Sequence, residues 1–297
     1  MSNKRIASVA LVGPGAVGSM IAASLHQNGH ALLLCGRTPQ PQLEVRPDGG
    51  DPIIVPGPVH TDPHTITARV DVVFLTVKAT QLDEARHWLA VLCDASTVVC
   101  VLQNGVEHTE LVAPYCPLSQ VVPALSWSPA ERLADGVVRL RSQPALTMPA
   151  SAVVVADLLQ SAGCVVKVVE DFTTAAWRKL MFNVAGALMA LTGRRSGMFR
   201  RDAIIILTRA YLVECLGVAR AEGARLGDED IAQIIDQYRE YPPDVTSSIR
   251  TDREAGRPLE WDIINGVVLR KAREHGLPAP ISEIVVPLLA VASDGPG

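Results

Sequence analysis

The sequence predicts an α/β protein in which an N-terminal, doubly wound parallel sheet is followed by an all-helical C-terminal domain. Three observations predict it. Short apolar runs alternate with helical patterns through the first half, a glycine-rich turn occupies the first strand-to-helix junction, and the pattern beyond Asp171 is helical almost to its end. At 297 residues there is material for two cores, and the change of texture divides the chain into domains at 1–169 and 170–297.

Each element has a local reason. Residues 6–12 (IASVALV) form an apolar, β-branched run suited to a strand buried on both faces. Residues 16–28 carry apolar positions at helical spacing and stop at Asn28-Gly29, and residues 31–35 (ALLLC) read as a second buried strand. The Pro- and Gly-rich stretch 39–63 reads as a surface excursion, with 44–46 and 53–55 as candidate edge strands. Residues 72–77 and 97–102 are two more strands, separated by a helix over 81–92. From 121 to 146, β-like pieces punctuated by Pro123, Pro129, Gly136 and Pro144 read as strands added at the sheet edge. A helix over 151–162 and a last strand over 165–169 follow. Helices are then expected over 172–191, 201–225, 228–240, 260–275 and 282–292.

Composition narrows the function. With 48% hydrophobic and 20% charged residues the chain reads as a soluble globular protein. A net charge of -4 argues against a nucleic-acid footprint, and the local cluster Arg194, Arg195, Arg200 and Arg201 reads as a solvated helix face or a phosphate-facing patch. Six cysteines without metal-ligand spacing read as free thiols in a reducing cytosol, so no metal site is expected. Lys4 and Arg5 ahead of an apolar run have the look of a secretory signal, but Gly13, Pro14, Gly15 and Gly18 interrupt that run. No later stretch reaches the roughly 18 apolar residues of a membrane helix, so a cytoplasmic location is expected. His87, His108 and His275 lie in polar, helix-like contexts without apparent partners and are assigned no chemistry.

Gly13-Pro14-Gly15-Ala16-Val17-Gly18 is G-x-G-x-x-G placed straight after a buried strand and opening a helix, the context of a Rossmann-type dinucleotide site. The glycines permit a tight turn and close approach of backbone to a pyrophosphate, and the helix N-terminus offers N–H groups and partial positive charge. The ordinary strand-turn-helix junction is the competing reading, and the flanking strands and helix weigh against it. Beyond the second strand, Cys35-Gly36-Arg37-Thr38 supplies a cation and a hydroxyl where a carboxylate would hold the ribose of NAD, which favours the 2′-phosphate of NADPH over a merely solvated Arg37. Lys78 and Gln81 follow the third major strand and Asn104 the fourth, where they would line ribose and nicotinamide; taken singly, each is also an ordinary cap or turn residue.

The order of motifs resembles the ketopantoate reductase family over nearly the whole chain: the glycine fingerprint, a strand ending in Arg37, Val77-Lys78-Ala79-Thr80-Gln81, Gln103-Asn104-Gly105, then Trp177-Arg178-Lys179-Leu180-Met181-Phe182-Asn183, and a late Glu260-Trp261-Asp262-Ile263-Ile264-Asn265-Gly266. The resemblance implies reduction of 2-dehydropantoate to (R)-pantoate by NADPH, for pantothenate and coenzyme A synthesis. It implies that Lys179 is the acid/base residue, that Asn183 and Ser248 contact the 2-keto acid, and that Glu260 lies at the cofactor and the catalytic Lys179. The chemistry agrees independently. Hydride delivery to a carbonyl carbon builds negative charge on the oxygen, where a cation able to give a proton belongs. Lys179 and Asn183, one helical turn apart, share a face. Taken outside its motif, Lys179 would read as a solvent-facing helix lysine, and Glu260 as a carboxylate at a helix start.

Two positions depart from the family pattern. Ala187 and Val245 stand where an Asn is common, which calls two of the substrate hydrogen bonds implied by the resemblance into question, and apolar swaps at such positions can loosen selectivity for a hydroxylated keto acid. A reductase of another 2-keto acid is therefore kept as an alternative, and a non-enzymatic NADPH sensor as one from a different class. The sensor has no use for Lys179, Asn183 and Glu260 together. Either a monomer or a homodimer is compatible with the apolar helical half.

Overall fold

Strand β1 (Val9–Val12) is buried on both faces: Val9 and Leu11 join one core, Ala10 and Val12 the other, as a period of two requires. The computed structural model describes residues 7–295, so Ile6, the proposed strand start, and Lys4 and Arg5 of the signal-like segment lie outside the described residues. Helix α1 (Ala16–Gln27) ends at Asn28, and Gly29 follows at φ +81°. β2 (Leu32–Cys35), β3 (Gln42–Pro47), β4 (Ile53–Pro56), β5 (Val59–His60), β6 (Val72–Leu75), α2 (Leu82–Leu92), β7 (Val98–Val101), α3 (His108–Val112) and β8 (Gln120–Pro123) come next. The order β5-β2-β1-β6-β7-β8, with every neighbouring pair parallel, is a doubly wound sheet whose order reverses at β1.

The remaining strands are β9 (Leu125–Ser126), β10 (Ala130–Arg132), β11 (Val138–Leu140), β12 (Ala145–Pro149) and, after α4 (Val153–Ser161), β13 (Val165–Val169). They correct the expectation of strands simply added at one sheet edge. Only β8 extends the main sheet; β10, β11, β3 and β4 form a separate four-stranded sheet, and β13, β12 and β9 a three-stranded one. The surface excursion after β2 is likewise half of a built layer, with Leu43, Val45 and Val55 buried alongside Val138 and Leu140. Residues 18–25 of α1 are all buried for this reason, since the four-stranded sheet covers the side of the helix that the main sheet leaves bare.

The chain separates into two compact units: one runs through Gln103 and again over Glu107–Glu170, the other takes Asn104–Val106 and the chain from Asp171 onward. The second unit is helical: α5 (Phe172–Thr192), α6 (Asp202–Ala221), α7 (Asp228–Glu240), α8 (Ser248–Glu254), α9 (Val267–Glu274) and α10 (Pro280–Ser293). Asp171 caps α5, its carboxylate accepting the Thr174 N–H at 3.0 Å, and Gly193 closes the helix at φ +64°. The expected single helix over 260–275 is broken by a π turn at Asp262–Gly266, and α8 has no counterpart in the expectation. Its start rests on Ser247, whose hydroxyl accepts the Arg250 N–H at 3.3 Å without the acidic third residue that would advertise a cap in sequence.

Two histidines also need correcting. His108 is buried, with Nε2 donating to the Gln103 carbonyl at 3.0 Å, and His275 Nε2 lies 2.6 Å from Glu222 Oε1. Both have partners. No described helix is long and apolar enough to cross a membrane, and no group of three metal-ligating side chains stands together among the described residues.

Candidate active site

The glycine turn is fixed by hydrogen bonds that leave little latitude. Gly13 N–H donates to the Cys35 carbonyl at 2.9 Å, tying the end of β1 to β2. Thr76 reaches over from the end of β6, its hydroxyl donating to the Gly13 carbonyl at 2.6 Å and its N–H to the Val12 carbonyl at 2.9 Å. Gly13 sits at φ +98°, and a Cβ there would come within 2.7 Å of the Val77 side chain. A Cβ at Gly18 would overlap the Gly13 carbonyl and the Thr76 hydroxyl. Both glycines are thus required by the protein itself.

Gly15 is not. It precedes α1 at φ -80°, ψ -159°, and a Cβ there would meet nothing closer than 4.0 Å. What its missing side chain keeps open is the space before the N-terminus of α1, where the backbone of Ala16, Val17 and Gly18 presents N–H groups and the first turn has no acidic residue. Backbone N–H groups so placed could hold an anionic group such as a dinucleotide pyrophosphate. Pro14 packs against Gly36, where a Cβ would come within 2.9 Å of the proline ring, and so joins the turn to the segment after β2. Arg37 begins that segment's polar stretch and makes a surface ion pair with Glu84 at 3.3 Å, both side chains more than 60% exposed. Lys78 opens the turn after β6, its carbonyl accepting the Gln81 N–H at 2.9 Å, while Gln103 Nε2 donates to the Val77 carbonyl at 3.0 Å and staples the ends of β6 and β7.

In the helical unit, α5 presents Lys179 and Asn183 half-buried on one face while Ala176, Leu180, Val184 and Ala187 turn into the core. Glu260 is buried and Asn104 joins it to Asn183: Asn104 Nδ2 donates to Glu260 Oε2 at 3.0 Å, and Asn104 Oδ1 accepts from Asn183 Nδ2 at 3.3 Å. That amide orientation satisfies both neighbours at once. Burial pushes the Lys179 ammonium down to about 8, and the negative field of Glu260 acts in the opposite sense. A lysine so placed carries a proton at neutral pH and gives it up readily.

Asn104, expected at the cofactor, is joined by its hydrogen bonds both to Glu260, expected at the cofactor and Lys179, and to Asn183, expected at the substrate. Ser248 is exposed as the first residue of α8, and its neighbour Ser247 does the capping and donates to the Gly186 carbonyl at 3.1 Å. Ala187, expected as a pocket position, has no exposed surface, whereas Val245 is half-buried. The sequence reading missed Asn265. Its side chain is wholly buried, Nδ2 donating to the Tyr211 hydroxyl at 2.9 Å and lying 3.5 Å from the Val184 carbonyl of α5, so it pins the π turn that follows Glu260 to the helix of Lys179. The Asn265-Gly266 pair was visible as part of a motif, but nothing local announced a core amide.

Residues 9–152 match the family described as ketopantoate reductase PanE/ApbA, and residues 171–293 match its C-terminal region. The 2-dehydropantoate 2-reductase of Mycobacterium tuberculosis is 57% identical over 97% of this chain and 99% of its own, and that of Caulobacter vibrioides is 37% identical over 96% and 99%. Among solved structures, a dimeric ketopantoate reductase from Staphylococcus aureus superposes with a TM-score of 0.86 at 27% identity, covering 96% of this chain and 98% of that one. A D-mandelate dehydrogenase shares the fold, with a TM-score of 0.87 at 22% identity over 97% and 98%. The chain belongs to the ketopantoate reductase family, whose members are NAD(P)H-dependent oxidoreductases.

Proposed function

We propose that this chain reduces 2-dehydropantoate to (R)-pantoate with NADPH, in the cytoplasm and on the route to pantothenate. The observation that carries the reading is the linked set Asn183, Asn104 and Glu260 beside a lysine whose ammonium is lowered to about 8. A nicotinamide cofactor, when bound, would supply the hydride that the carbonyl carbon of the keto acid takes up. Lys179 Nζ then provides a positive charge for the carbonyl oxygen as its charge grows, and hands that oxygen a proton. Glu260 holds the ammonium charged in a desolvated setting, and Asn183 offers a neutral hydrogen bond to the substrate. Ser248, exposed at the head of α8, offers another.

The cofactor belongs to residues 1–169 on this account, with Gly13 to Gly18 at the pyrophosphate and Lys78 and Gln81 toward ribose and nicotinamide. Arg37 and Thr38 favour the 2′-phosphate of NADPH, because the residues that follow β2, Gly36-Arg37-Thr38, include no carboxylate to receive a ribose hydroxyl. Asn104 and Glu260 would face both cofactor and substrate. Val245 favours a second reading, a less hydroxylated 2-keto acid, since its half-buried apolar side chain offers no hydrogen bond.

The test is the initial rate of NADPH oxidation by purified protein with 2-dehydropantoate, beside pyruvate and 2-ketoisovalerate, with NADH as control. Selective turnover of 2-dehydropantoate with NADPH is expected. Faster turnover of another keto acid would replace the substrate and keep the mechanism, and NADPH binding without any turnover would overturn the reading.

A further inference from the structure

The four-stranded sheet and the stretch just after it carry four arginines, and three of them are paired with carboxylates. Arg46 lies 2.7 Å from Glu44, Arg139 2.6 Å from Asp48 and Arg141 3.0 Å from Glu131. Arg132, the last residue of β10, differs. Among the described residues its guanidinium meets only neutral acceptors: Nη1 donates to the Pro14 carbonyl at 3.3 Å and Nη2 to Gln40 Oε1 at 3.2 Å. Pro14 is the second residue of the glycine turn, and Gln40 lies in the segment after β2 that faces the adenosine ribose in sheets of this kind. The β10–β11 hairpin fixes its place, with Arg132 opposite Val138 and the Leu133 N–H bonded to the Val137 carbonyl at 2.8 Å.

We propose that Arg132 is a second cation for the 2′-phosphate of the cofactor, completing with Arg37 a two-guanidinium site to which Gln40 orients it; this rests on NADPH being the cofactor. A phosphate monoester carries close to two negative charges at neutral pH and accepts forked guanidinium bonds from two sides. Arg37 alone is a partial answer, because an exposed pair with Glu84 already occupies it. Among the described residues Arg132 has no carboxylate to surrender, so its charge is available where Pro14 and Gln40 hold it.

Calorimetric titration of the purified protein with 2′,5′-ADP, 5′-AMP, NADPH and NADH reads this without turnover. Wild type should prefer 2′,5′-ADP to 5′-AMP. Arg132→Ala should weaken 2′,5′-ADP and NADPH by about tenfold, the usual scale for one charge-assisted hydrogen bond, and leave 5′-AMP and NADH within about twofold. An unchanged 2′,5′-ADP affinity would make Arg132 a bystander, and equal losses for NADPH and NADH would move it to the pyrophosphate; either overturns the proposal. Wild type that does not distinguish 2′,5′-ADP from 5′-AMP would instead overturn the NADPH reading beneath it. Arg132 is exposed, so an unchanged melting temperature in the variant separates lost affinity from lost fold.

Discussion

At the scale of single residues, the chemistry depends on one ammonium in a desolvated place. Lys179 must be protonated to act as an acid, and its value of about 8 sets where that form is lost. Activity governed by Lys179 should therefore be flat below that pH and fall above it, as an alkaline limb in log kcat/KM against pH shows. Lys179→Ala should lower kcat by about 10²–10⁴-fold, the span of general acid catalysis, and abolish that limb; a variant keeping both rate and limb would remove Lys179 from the mechanism. Glu260 raises the lysine value, so Glu260→Gln should move the limb toward lower pH, and a limb that stays in place would show that the carboxylate acts elsewhere. Lys179, Asn183 and Glu260 were legible as candidates through the resemblance of their motifs to the ketopantoate reductase family. The hydrogen bonds that Asn104 makes were not. Its amide is read by a carboxylate 156 positions away, and no local pattern reports such a partner.

At the scale of elements, the glycine turn divides into residues the fold needs and a residue the ligand needs. Gly18→Ala should cost about 1–3 kcal/mol, the range for overpacking a tight contact, because its Cβ would overlap the Gly13 carbonyl and the Thr76 hydroxyl. Gly15→Ala should leave thermal stability almost unchanged and weaken cofactor binding at least tenfold by the affinity relation, since its Cβ would enter only open space. Urea unfolding and titration of both variants check this, and equal effects of the two on stability would refute the division. Strands β1, β2, β6 and β7 and helices α1 and α2 of the main sheet could be read from periodicity, whereas β5, α3 and the pairing of the four-stranded sheet could not. Its central pairing sets Val45 beside Val138, two short runs far apart in sequence and each hemmed by turn residues. The π turn was hidden for another reason: one extra residue shifts the phase of a helix without altering which residues favour helices.

At the scale of the whole molecule, ligand binding should appear as stability. NADPH at 100 times its Kd should add about 2.7 kcal/mol to unfolding by mass action, seen as a raised melting temperature. Lys179→Ala should show the same rise, because the turn at Gly13 to Gly18 and Arg37 all belong to the first unit. A variant that lost the rise would make Lys179 a cofactor ligand. The change in texture near residue 170 gave no sign that Asn104–Val106 group with the helices.

That small excursion has a consequence for inheritance. A gene fragment beginning at Asp171 would encode the ammonium and the carboxylate of the helical unit without the amide that links Glu260 to Asn183. The two halves of this gene are therefore not free to recombine as cassettes: a crossover near codon 170 would have to bring along a matching asparagine from the other parent, or deliver a helical half with its carboxylate left to find a new donor.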